Sequence, residues 1–169
     1  VRKKALIDRE VHWHLIGQLQ RNKAKDMIGA SWLIHSLDRV SLADEIEKRA
    51  QQRDMVQPVL LQVNISGEDT KSGMEPGTVI PFIEEMAERP HLKVTGLMTI
   101  APNVSDPEDA RPVFKKAKIL YDSIADMDYP HVDMRYLSMG MSNDYKIAIE
   151  EGATMVRIGR ALFGARVYG

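Results

Sequence analysis

Apolar and β-branched runs alternate with helix-periodic stretches along the whole chain. Six short runs read as strands, at residues 14–17, 32–37, 59–64, 94–100, 135–138 and 154–158. The segments between them carry an apolar face at helical spacing. Residues 41–51 open with Ser41 as a predicted N-cap and Asp44 three positions on, which resembles a capping box. Val79, Phe82, Ile83 and Met86 fall at i, i+3, i+4 and i+7, one apolar stripe. Asp106-Pro107-Glu108-Asp109 reads as a cap, a first-turn proline and two acids at a helix start. Val113, Phe114, Ala117, Leu120, Tyr121 and Ile124 continue that face. Pro112 interrupts it, so the helix kinks there or begins later. A helix over 143–151 is expected to end with Gly152 at C′.

Strand alternating with helix predicts an α/β domain with a parallel sheet. No low-complexity linker divides the 169 residues, so they read as one domain or most of one. Six strands suit a doubly wound sheet, whereas a (β/α)8 barrel needs eight; the pattern leaves both open.

Composition narrows the function classes. The chain is 44% apolar and 28% charged with a net charge of -1, so no basic surface argues for nucleic acid or an anionic membrane. Apolar runs are too short to span a bilayer. With no cysteine, disulfides, thiolate metal sites and a Cys nucleophile are excluded, which fits a reducing, cytoplasmic compartment. The opening VRKKALIDREV is charged, unlike a signal peptide, and fits the tail of a helix that begins earlier.

Candidate chemistry gathers near the end of the chain. In TMVRIG, Met155, Arg157 and Gly159 share one strand face, while Val156 and Ile158 share the other. The Val/Ile face suits helix packing, so Arg157 points the opposite way near the C-terminal end of its strand, where α/β folds bind ligands. It is either a structural ion pair or a ligand contact. Two glycine-bearing corners, around Gly140-Ser142 and Gly159-Arg160, each lead from a strand into a helix. Such corners present free N–H groups suited to a phosphate, with glycine allowing close approach and Ser142 adding a hydroxyl. Ordinary turn and cap roles explain each corner equally well when taken alone. His12 and His14, with His35 on the next strand, form an H-x-H pattern without an identifiable third ligand or supporting shell, so no metal site is expected. Lys23, Lys71 and Lys146 read as solvated charges.

Five stretches carry a resemblance: WHLIGQLQRNK (13–23), LLQVNISGEDTKSG (60–73), GLMTIAP (96–102), LSMGMSND (137–144) and MVRIGRALFG (155–164). In order and spacing they closely resemble the pyridoxal-phosphate homeostasis proteins of the YggS/YlmE type. The resemblance implies a (β/α)8 TIM-type barrel of the alanine racemase N-terminal-domain kind, lacking its first two strands here. Residues 1–169 would then be a single, N-terminally incomplete barrel domain that binds pyridoxal 5′-phosphate (PLP). The implied role is to buffer or deliver PLP, and so to regulate vitamin B6 and amino-acid/keto-acid balance, without established turnover. The alternative it implies is a PLP-dependent, racemase-like enzyme, against which stands the lack of a recognisable second acid/base partner; Tyr136, Tyr145 and Tyr168 read as packing residues. A generic phosphate-binding barrel is a third possibility. Position by position, the resemblance places Arg157 near the pyridine nitrogen. It places Ser142, Gly159 and Arg160 around the phosphate, Ser138 and Met139 close by, and His14 and Asn64 near the pocket mouth. Relatives often carry a small hydroxyl residue at position 160, so for Arg160 only the backbone N–H transfers. The family's lysine for covalent PLP attachment belongs to a segment ahead of Val1, so this chain is expected to hold PLP non-covalently, with no catalytic residue assigned. The expected partners are PLP and PLP-dependent apo-enzymes, with a monomeric state.

Overall fold

The structure, a computed structural model, describes residues 10–164 except position 69. The charged opening stretch before residue 10 and Tyr168 lie outside the described residues. Six strands pair in parallel in the order in which they occur: β1 (His14–Leu15), β2 (Leu33–Leu37), β3 (Gln57–Gln62), β4 (Leu92–Met98), β5 (Val132–Met141) and β6 (Met155–Arg157). All six predicted runs are therefore strands. The sequential order excludes the doubly wound sheet that periodicity left open. A doubly wound sheet reverses its strand order at a switch point, whereas a singly wound sheet keeps every crossover on one side and curls. The result is a curled half-barrel with helices on its outer face. The pairing register shifts once within each of the four pairs from β2·β3 to β5·β6.

The outer helices are α1 (Ala24–Met27), α2 (Val40–Gln51), α3 (Val79–Met86), α4 (Arg111–Ala125), α5 (Tyr145–Glu150) and α6 (Arg160–Phe163). The main core lies between them and the sheet. In α3 the four stripe residues are all buried, which at about 1.5–3 kcal/mol per large side chain fixes the rotation of this helix. Along α4, Phe114, Ala117 and Ile124 are buried, while Val113, Leu120 and Tyr121 pack at the edge of the core. Pro112 is accommodated because Pro107–Ala110 form a separate 3-10 turn, capped by Asp106 accepting the Glu108 N–H at 3.0 Å. The α-helix then begins at Arg111, so the proline falls in its first turn, where no intrahelical donor is required.

Ser41 is not a cap. The N-cap falls two residues earlier, on Arg39, whose carbonyl accepts the first N–H bonds, from Leu42 and Ala43. Asp44 is occupied elsewhere, taking Arg89 Nη2 at 2.6 Å. Helix α5 ends as predicted. Gly152 N–H donates to Ile149 O and Ala153 N–H to Ala148 O, the paired closure of a Schellman motif. Arg111 reaches Glu150 and Glu151 at 2.7 and 2.5 Å, tying α5 to the start of α4.

A smaller cluster of Leu33, Leu60 and Met98, flanked by Tyr136 and Met155, occupies the concave face of the sheet. Strand alternation places His35, Ser138 and Arg157 on that same face.

Candidate functional site

Beyond the C-terminal ends of β4, β5 and β6 lies a cleft of about 850 Å³, lined among others by Lys71, Ile100, Ser142, Arg157, Gly159 and Arg160. Barrel-type sheets place ligands at this end. Alternation along β6 sends Arg157 to the concave side, as its spacing predicted. Its Nη1 donates to Ser138 O and Ser138 Oγ, both at 2.9 Å, and its Nη2 donates to Thr99 O at 2.9 Å. These acceptors are all neutral. The ion-pair reading for Arg157 is thus replaced by a cation braced on carbonyls and a hydroxyl, with Nε–H and one Nη2–H having no partner among the described residues. Burial pulls its pKa down to about 10, and Asp144 pulls in the opposite direction. Arg157 remains cationic at neutral pH.

The two glycine corners converge, but by different means. Ser142 Oγ, from the first corner, accepts Gly159 N–H at 3.3 Å and Ala161 N–H at 3.2 Å, from the second. A small nest of donors thus closes on one oxygen at the cleft wall. Gly159 lies beside open space, since a Cβ built there would meet nothing within 4 Å. Gly140 does not serve the cleft. Its φ is +88°, and a Cβ there would stand 2.5 Å from Ala148 Cβ and 3.0 Å from Tyr145 Cα, so its missing side chain admits α5. The first corner closes on itself through Met141 N–H donating to Asp144 Oδ1 at 2.6 Å, and its helix begins only at Tyr145.

The remaining predicted positions divide. Ser138 is fully buried beneath Arg157. Met139 is a correction: alternation turns its side chain to the opposite face, into the main core. Asn64 is outside the cleft lining and organises its own loop, accepting from Ser66 Oγ and Gly67 N–H at 3.1 Å each and donating to Glu68 O. His14 is also outside the lining. Its Nδ1 lies 2.9 Å from His35 Nε2, and His35 Nδ1 lies 3.1 Å from Ser138 Oγ. The two histidines direct ring nitrogens at one another, and His12 stacks on Trp32 with centroids 4.7 Å apart. Burial, with His14 and Arg157 adding to it, pushes the His35 pKa down to about 3. Burial, then His12, lowers that of His14.

Sequence reasoning missed Lys71 and Thr99. Lys71 read as a solvated charge, yet the loop after β3 folds back so that it lines the cleft, paired to Glu68 at 2.8 Å. Thr99 contributes a carbonyl, which no side-chain pattern signals.

The profile of the alanine racemase N-terminal domain matches residues 2–167. The pyridoxal phosphate homeostasis protein of Aquifex aeolicus is 52% identical over 165 residues, covering 98% of this chain and 72% of that protein. The chain belongs to the pyridoxal phosphate homeostasis protein family. PipY of Synechococcus elongatus, in a structure with PLP bound, matches with a TM-score of 0.85 at 29% identity, covering 96% of this chain and 75% of that one. A Bifidobacterium adolescentis protein matches with a TM-score of 0.83 at 40% identity; the chain covers 60% of its length and is itself covered to 89%. Among the described residues, no helix is long and apolar enough to cross a membrane.

Proposed function

We propose that this chain binds PLP in the cleft at the ends of β4–β6 and serves to buffer and deliver it, without turnover of its own. The observation that carries the reading is the donor set. A braced cation with N–H groups unpartnered among the described residues stands beside a nest of backbone donors, and no described carboxylate pairs with that cation. This arrangement suits a ligand with an aromatic acceptor nitrogen and a phosphate. Gly159 fits the same reading, because its open side leaves room for a phosphate next to the Gly159 and Ala161 N–H groups. Arg160 contributes from the cleft wall.

When bound, PLP supplies an electrophilic aldehyde carbon conjugated to a pyridine ring. Arg157 would donate to the ring nitrogen and, being cationic, oppose its protonation, which weakens the ring as an electron sink. That favours holding PLP over broad amino-acid chemistry. Tyr136 supports the same side: it packs against the apolar Leu33–Leu60–Met98 cluster. The sequential strand order supports assigning the six strands as consecutive members of a (β/α)8 barrel domain. The family supports a cytoplasmic protein that hands PLP to apo-enzymes as a monomer.

Native mass spectrometry of the purified protein titrated with PLP tests the proposal. One PLP per chain is expected, weakened by Arg157→Ala. A phosphorylated sugar or nucleotide held in preference to PLP would move the site to a generic phosphate function. Turnover of alanine enantiomers that depends on Arg157 would restore the racemase alternative.

A further inference from the structure

The polar line across the concave face has a direction, and Arg157 sets it. A guanidinium offers only donors. Since Nη1 donates to Ser138 Oγ, that hydroxyl accepts there and keeps its own proton for another partner. His35 Nδ1, 3.1 Å from the hydroxyl, is the one acceptor within reach of that proton among the described residues, so Nδ1 accepts it. A neutral imidazole accepting at Nδ1 carries its proton on Nε2. That nitrogen faces His14 Nδ1 at 2.9 Å, so His14 accepts in turn and is protonated on Nε2. One donor-only group thereby orders every proton between β6 and β1. Burial of His35, only 1% exposed, keeps the imidazole neutral and the order intact.

We infer that His35 is a positioning residue for Arg157. By accepting the Ser138 proton it turns the hydroxyl lone pairs toward the guanidinium and fixes the plane in which the free N–H groups are presented. The inference rests on the reading of Arg157 as a PLP contact. It adds a dependence on a residue from β2 that lines no part of the cleft. His14 closes the line at its far end and is the less critical partner, because Ser138 touches only the near one.

Two measurements test this. Long-range proton–nitrogen NMR of the protein without PLP is expected to show His35 protonated on Nε2 at neutral pH. A proton on Nδ1 would overturn the ordered line. PLP titration then compares two variants. His35→Leu removes the acceptor and is expected to weaken PLP about tenfold, whereas His35→Asn offers an oxygen near the Nδ1 position and restores affinity to within about twofold. Equal affinities for Leu and Asn would overturn the positioning role. Thermal denaturation checks folding, and if His35→Leu does not fold, Ser138→Ala takes its place in the comparison with His35→Asn. Failure of the unaltered protein to bind PLP would sink the functional proposal, while the imidazole spectrum would still decide the proton order.

Discussion

Gly140, at the end of β5, and Gly159, at the start of α6, mark successive strand-to-helix connections, yet a side chain at the first would collide and at the second would meet open space. The first glycine is demanded by packing: α5 approaches so closely that Ala148 occupies the room a Cβ would need. The second leaves a wall of the cleft bare. The same residue thus admits a packed helix in one place and leaves the cleft wall open in the other. What separates them is the neighbouring helix, which presses on the first corner and leaves the second open.

The largest way to break this comparison is Gly140→Val. Positive φ and overlap with α5 together cost about 4 kcal/mol, measured by chemical denaturation. A stability close to that of the unaltered protein would mean that α5 does not press on this corner.

The next effect concerns what the corners share. Ser138 and Arg157 each lie two residues ahead of a corner glycine, and both depend on His35. In the folded chain His35 stays neutral down to about pH 3, while the unfolded chain takes up a proton near its ordinary value of 6.5. The unfolded state then binds more protons below that value, so stability falls as pH drops from 6.5 toward 3. The titratable groups facing His35 are His14 and Arg157, and β3 and β4 present Leu60, Gln62 and Met98 to the same face. Between pH 6.5 and 4.5 the loss is about 2.3 kcal/mol in denaturation series. His35→Asn should flatten that slope. An unchanged slope would place the titration elsewhere.

Gly159→Val sharpens the contrast from the other side. Stability should change by no more than about 1 kcal/mol, while PLP binding weakens at least about tenfold, equivalent to about 1.4 kcal/mol. If stability fell and binding survived, the roles of the two corners would be exchanged. Ser142→Ala is the smallest step. It removes the oxygen on which the Gly159 and Ala161 donors close, and isothermal titration should show about 1 kcal/mol less PLP affinity. No change would leave the hydroxyl a purely local cap.

Much of the architecture was legible because burial and periodicity coincide. Val79, Phe82, Ile83 and Met86 could be placed in the core from spacing alone, and alternation in TMVRIG gave the direction of Arg157. The false cap at Ser41 shows where such reasoning stops, since a two-residue change of cap position depends on which carbonyl takes the first bond. Met139 shares a motif with Ser138 and Ser142, but alternation turns its own side chain into the main core. The supports of Arg157 were hidden for a different reason. Thr99 is 58 positions distant and acts through its backbone, where residue identity carries no signal. Lys71 reached the cleft only through the return of its loop. Gly140 looked like a ligand corner until the position of Ala148 was known.

Arg157 sits on β6 yet grips the ends of β4 and β5, so it works as a rivet through three adjoining staves. Only a flat, forked group can hold two neighbours at once and still extend a free edge. A lysine, with one nitrogen at the end of a flexible stem, would have to choose between joining the wall and facing the cleft. The demand for arginine is therefore written into the carpentry of the half-barrel as well as into the chemistry of whatever it holds.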